Sequence, residues 1–133
     1  MPDINNLDEL AHIFNDADCN KHLQPRYFAY EDKGEAFLTI RPDMLHKGGV
    51  VHGSTIFKLL DDVCTIAAMS AWRYTTLTSV FNIYFLRPIS SGEIRAVGRV
   101  VKAGKRQVLA EGEAYDQDGR LLAKGSGTFM RAQ

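Results

Sequence analysis

Residues 46–71 most constrain what this chain can fold into. The segment HKGGVVHGS runs directly into TIFKLLDDVCTIAAMSA, the longest helix-compatible apolar stretch in the sequence. At helical spacing, Ile56, Phe57, Leu60, Val63, Cys64, Ala67, Ala68 and Ala71 cover a very wide arc. Lys58, Asp62, Thr65 and Met69 share a narrow opposite stripe, and Asp61 falls on the border between the two. A helix this apolar must be largely wrapped by other structure. Its start is expected near Gly53 or Ser54, and its late alanines allow a sheet or partner helix to approach closely.

After this helix the period changes from about 3.6 to 2. Strands are expected over 75–86, 93–102, 105–115 and 120–131, separated by Pro88, Ala103-Gly104 and the turn Asp116-Gln-Asp-Gly119. Short loops between successive strands predict an antiparallel meander. Before the helix, Ile4, Leu7, Leu10 or Ala11, Phe14 and Ala17 predict a short amphipathic helix over 3–18, capped by Asp3 or Asn6. Residues 19–30 read as a packed loop or short edge strand. Residues 35–40 read as a strand, with Ala36, Leu38 and Ile40 on one face.

The expectation is an α+β protein, a helix packed on an antiparallel sheet of about five strands. At 133 residues it reads as one domain, with an N-terminal helix and loop over 1–33 and a core over 34–131. One helix covers only one face of such a sheet, so self-association, at least to a homodimer, is expected.

Composition narrows the functions. Sixteen basic and sixteen acidic residues cancel, leaving no overall field to attract nucleic acid or an anionic membrane. The start, MPDINN, has no secretory pattern, and the run from Val63 to Ala71 is too short to span a bilayer, so a soluble cytoplasmic protein is expected. Cys19 and Cys64 make a weak disulfide case, since Cys64 falls within the apolar helix pattern.

Chemistry-bearing residues crowd the helix entrance: His46, Gly48, Gly49, His52 and Gly53. Glycines let backbone approach a ligand, and the first helical amides lack internal acceptors, so an anion or oxyanion site is possible. A plain glycine turn with ordinary loop histidines explains the same pattern. Asp61 follows His52 by nine residues, two and a half turns, so the two should point in nearly opposite directions, with Asp61 about 12 Å along the axis from Gly53. Across a two-fold axis they could serve one site; otherwise Asp61 is a solubilising carboxylate. No metal-ligand spacing, phosphate loop or dinucleotide fingerprint is present.

Taken in order, His46, Gly49, His52-Gly53-Ser54 and Asp61, then Asn82-Ile-Tyr-Phe-Leu-Arg-Pro88, Gly104-Lys-Arg and Asp116-Gln-Asp-Gly-Arg-Leu-Leu-Ala-Lys-Gly125, resemble the hotdog-fold acyl-CoA thioesterases. The branch is that of the phenylacetate-pathway enzyme, and the likeness covers about 34–131. It implies a long central helix wrapped by a curved antiparallel sheet of about five to six strands, dimerised and often paired again into a tetramer. It also implies hydrolysis of an acyl-CoA thioester in an inter-subunit site, without metal or redox cofactor, coenzyme A being part of the substrate. Asp61 would be general base or nucleophile. The Gly53 amide would polarise the carbonyl, His52 would shape the site and Ser79 would supply an orienting hydroxyl. Lys102, Gly104, Lys105, Arg106 and Arg131 would meet the coenzyme phosphates, though such residues are also ordinary solvated charge. Phe57, Leu60 and Phe81 would neighbour the acyl group. The chain departs from the family pattern at His46, where the family has Asn, and at Ser54, where it has Gly. A non-catalytic acyl-CoA or lipid-binding module is the main rival reading; a hydratase lacks its acid–base pair here.

Overall fold

A computed structural model describes residues 3–132. The elements are α1 (Leu7–Asn15), β1 (Arg26–Tyr30), β2 (Lys33–Thr39), α2 (Gly53–Trp72), β3 (Thr76–Phe85), β4 (Glu93–Ala103), β5 (Val108–Tyr115) and β6 (Leu121–Arg131), with 3-10 turns at Asp18–Asn20 and Pro42–Met44. This is the α+β hotdog arrangement: one long helix against a six-stranded antiparallel sheet.

Asn6 caps α1, its side chain accepting from the Glu9 amide at 2.8 Å. Of the two readings of residues 19–30, the short edge strand holds for 26–30, which form β1 at one edge of the sheet. The predicted simple meander is corrected. The strand order is β1-β2-β4-β5-β6-β3, so β3 pairs with β6 at the far edge and β4 with β2. Crossing from β3 to β4 passes two strands, about 14 Å at the usual interstrand spacing, and the connecting residues 86–92 can extend to about 23 Å. The connection is long enough for the crossing, so its length never required β3 and β4 to be neighbours. It runs over the start of α2, where the Val51 amide donates to the Ile89 carbonyl at 2.8 Å.

The helix lies very close to the sheet. Gly34, Gly98, Gly112 and Gly125 stand in one register row across β2, β4, β5 and β6. A methyl on Gly98 would sit 2.6 Å from the backbone at Val63 and Cys64, and one on Gly34 2.4 Å from the Val63 carbonyl. Only glycine admits α2 at this depth. Leu59, Leu60, Val63, Ile66 and Ala67 are fully buried there, and Cys64 is buried as a free thiol, with burial pushing its pKa up. The stripe read as polar is not a solvent face either. Met69 is buried, and Asp62 turns toward β1. Among the described residues no helix is long and apolar enough to cross a membrane.

Candidate functional site

An open groove of about 660 Å³ runs along the first two and a half turns of α2. His52, Gly53, Phe57, Lys58, Asp61 and Phe85 line it, with Ser54 and Asp62. His52 and Asp61 thus share one groove within one chain, contrary to the helical-phase argument. His52 is the N-cap, with φ −63° and ψ 140°, so its side chain does not follow the helical rotation. The two still lie toward opposite ends of the groove, nine residues or about 13.5 Å apart along the axis.

At the entrance, the His52 Nδ1 accepts from the Ser54 amide at 3.0 Å and lies 2.7 Å from the Ser54 hydroxyl. Serine therefore completes the cap where the family pattern has glycine. The Gly53 amide has no acceptor among the described residues, as expected of a first helical donor. A methyl at Gly53 would come within 3.1 Å of the Phe85 ring, so the missing side chain keeps that amide approachable.

At the other end, Asp61 Oδ1 accepts from the Thr78 hydroxyl at 2.6 Å. Burial raises the Asp61 pKa above the usual carboxylate value. The Thr78 bond pulls it down, Asp62 pushes it up and Lys58 pulls it down, in descending order of effect. Behind it, Asp62 accepts from the buried Tyr27 hydroxyl and from Lys58 Nζ, the latter at 3.0 Å. Burial raises the Asp62 pKa as well, against the lowering by Tyr27 and Lys58. Burial and Asp62 together hold the Tyr27 phenol protonated, so it remains a donor.

Thr78 was not singled out from the sequence. Ser79, which was, is exposed in a β-bulge between Thr78 and Val80 and makes no hydrogen bond to Asp61 within the chain. Of the apolar neighbours, Phe57 lines the groove and packs edge-on against Phe81, their centroids 5.3 Å apart. Leu60 is buried in the core instead, and Phe85 was missed. His46 does not line this groove. It faces an adjoining cavity, where its Nδ1 accepts from the Gly48 amide at 2.8 Å.

The basic hairpin forms its own cleft of about 250 Å³, lined by Lys102, Gly104, Lys105 and Arg106 with Gln107 and Leu109. The Trp72 indole donates to the Gly104 carbonyl at 3.0 Å, tying this hairpin to the end of α2. Arg131 is not part of the cleft; its guanidinium lies 3.6 Å from the Tyr74 ring centroid. Among the described residues, no three His, Cys, Asp or Glu side chains converge as metal ligands.

The sequence model of the Thioesterase superfamily matches residues 48–123, more than half of the chain. The chain belongs to that superfamily. It is therefore a hotdog-fold hydrolase of the thioesterase type. It is 31% identical over 124 residues to "Putative esterase SSO2140" of Saccharolobus solfataricus, covering 90% of this chain and 88% of that protein. It is 32% identical over 84 residues to "Putative esterase SSO1253" of the same organism. That match takes in 62% of this chain and 56% of the relative, so it spans little more than half of that protein. Among solved structures, the Escherichia coli PaaI protein from the phenylacetic acid degradation operon superposes with a TM-score of 0.86. At 23% identity, covering 96% of this chain and 97% of that one, it shows a shared fold.

Proposed function

We propose that this protein hydrolyses the thioester of a small-to-medium or aromatic acyl-CoA, with Asp61 as general base in a site shared between two subunits. The observation that carries the reading is that α2 presents to one groove both an open helix-terminal amide at Gly53 and, about 12 Å further along, a half-buried carboxylate held by a hydroxyl donor, two groups that a second copy of the helix can bring together. The amide suits a developing oxyanion, and a carboxylate whose pKa is raised by burial is a better base for water than an exposed one.

The chemistry then runs as follows. The carbonyl oxygen sits against the Gly53 N–H. Water attacks the carbonyl carbon as Asp61 takes its proton, giving a tetrahedral oxyanion. Collapse breaks the C–S bond, and the proton on Asp61 passes to the departing thiolate, leaving a carboxylic acid and free coenzyme A.

One chain keeps the two groups about 12 Å apart, too far to act on one carbonyl. A two-fold axis beside α2 would bring the Asp61 of one subunit to the Gly53 of the other. Edge strand β3 supports such a dimer: it is ten residues long and exposes Leu77, Val80, Tyr84 and Phe85. Pairing of two dimers would make the tetramer that the family resemblance suggests. His52 fixes the cap that presents Gly53, and His46 borders the acyl end. The Lys102–Arg106 hairpin would meet the coenzyme phosphates as exposed point charges. This reading places the enzyme in the cytoplasm with its substrate.

The test is free-thiol release from phenylacetyl-, hexanoyl- and palmitoyl-CoA by wild type and Asp61→Asn, with oligomeric state measured on both. Saturable turnover that falls by about 10²–10⁴ in the variant, with assembly intact, is expected. Equal turnover by both proteins, or none by either, overturns the reading.

A further inference from the structure

We infer that Lys58 sets acyl specificity by offering its ammonium to a neutral oxygen carried on the substrate's acyl chain, in a second cavity beside the groove. The inference rests on the reading that seats the thioester carbonyl at Gly53.

That second cavity, about 420 Å³, lies between the Pro42–Met44 turn and the first turns of α2. Lys58, His52 and Ser54 line both spaces, so Lys58 stands on their common wall. Leu23, Met44 and Leu45 give the second cavity apolar surface suited to a hydrocarbon chain. Its polar lining is rich in donors. The Gly48 and Ser54 amides donate to Nδ1 of His46 and His52, so each neutral imidazole carries its proton on Nε2 and has a donor left. The Lys58 ammonium has three N–H bonds and, among the described residues, a single acceptor, Asp62 Oδ2 at 3.0 Å. The carboxylate lining this cavity, Asp43, is paired to Arg41 at 3.3 Å. Donors without acceptors favour a ligand that brings an oxygen over one that does not.

Charge decides which oxygen. Asp62 already balances Lys58, and Asp61 stands one turn further along the same helix. A carboxylated acyl end would add a third negative charge; a keto oxygen adds none. The ammonium is also held in place. The buried Tyr27 hydroxyl bonds Asp62, which bonds Lys58, so Tyr27 and Asp62 act as positioning residues. Lys58 follows Gly53 by five residues, about 7.5 Å of helix axis, which suits an oxygen some four carbons beyond the thioester carbonyl.

The test compares 5-oxohexanoyl-, hexanoyl- and 5-carboxypentanoyl-CoA with wild type, Lys58→Met and Lys58→Arg. Wild type should favour the oxo chain over hexanoyl by about tenfold in kcat/KM, one hydrogen bond's discrimination. The ratio should fall toward one in Lys58→Met and return in part in Lys58→Arg. The carboxylated chain should be the poorest of the three. Calorimetry with the thioether analogues S-(5-oxohexyl)- and S-hexyl-coenzyme A reads the same preference without turnover. Absence of hydrolysis therefore overturns the proposed function alone. A flat affinity ratio in wild type, a ratio unchanged in Lys58→Met, or preference for the carboxylated chain overturns this inference.

Discussion

Replacing Gly98 with alanine tests how the fold holds its reactive helix. The new methyl would lie 2.6 Å from the Val63 carbonyl group and the Cys64 amide, where a relaxed contact needs about 3.5 Å. These are backbone atoms in mid-helix and no rotamer can relieve them, so α2 must rise locally by about 1 Å. A gap of that size forfeits a quarter to a half of the dispersion energy of each affected contact. Fully buried Leu60, Val63 and Ala67 are all nearby. The expected cost is about 1–3 kcal/mol, the usual range for overpacking. For a domain of this size that is roughly 4–10 °C in melting temperature. Gly112→Ala is the comparator. Its nearest neighbours are the Cys64 thiol and the Val97 carbonyl, both at 3.0 Å, so its methyl is less crowded and its loss should be smaller. Thermal unfolding followed by circular dichroism reads both. Raising α2 should also strain the 2.6 Å bond between Thr78 and Asp61, so turnover should fall in the folded Gly98→Ala protein at 25 °C. A Gly98→Ala protein that melts no lower than Gly112→Ala would refute the reasoning.

Three further outcomes follow from the site. Asp61 must be ionised to accept a proton, so kcat/KM should climb with pH along an acidic limb lying above the ordinary carboxylate range. Thr78→Val, which removes a lowering influence, should move that limb to higher pH; a shift downward would exclude Thr78 as the tuning donor. Because the folded-state pKa of Asp61 is raised, ionisation opposes folding, and stability is lost as pH rises through that pKa. Asp61→Asn should therefore melt higher than wild type at pH 7 while losing turnover, and a lower melting temperature would count against the burial argument. Trp72, the single tryptophan, bonds the hairpin that carries Lys105 and Arg106. Its fluorescence should change on titration with coenzyme A, and Trp72→Phe should raise KM a few-fold with kcat little altered; a kcat defect alone would speak against a binding role for the hairpin.

What the sequence made legible, and what it hid, divides along one physical line. Helix α2 was readable to within a residue at each end because its signal is local, an apolar arc of period 3.6 entered from a glycine-rich turn. The position of β3 was not, because a seven-residue connection is long enough either to turn back or to cross two strands. The row of glycines beneath α2 was equally hidden, since it exists only once four strands are placed in register. That Thr78 rather than Ser79 bonds Asp61 within the chain was hidden for the same reason. Strict alternation back from Ile83 and Phe81, which pack against the core, leads to Ser79. The bulge between Thr78 and Val80 adds a residue there and reverses the alternation. Buried Thr76 and the Asp61-bonded Thr78, itself exposed, therefore share the face toward α2, and Ser79 points to the other face. Deleting Ser79 should restore regular pairing but turn either Thr78 or the Phe81 side outward, since the two halves of β3 can then no longer both face α2. Loss of turnover in that deletion with the sheet intact by circular dichroism is the expected result. A deletion variant with wild-type kcat/KM would mean that Thr78 does not hold Asp61 in its working position.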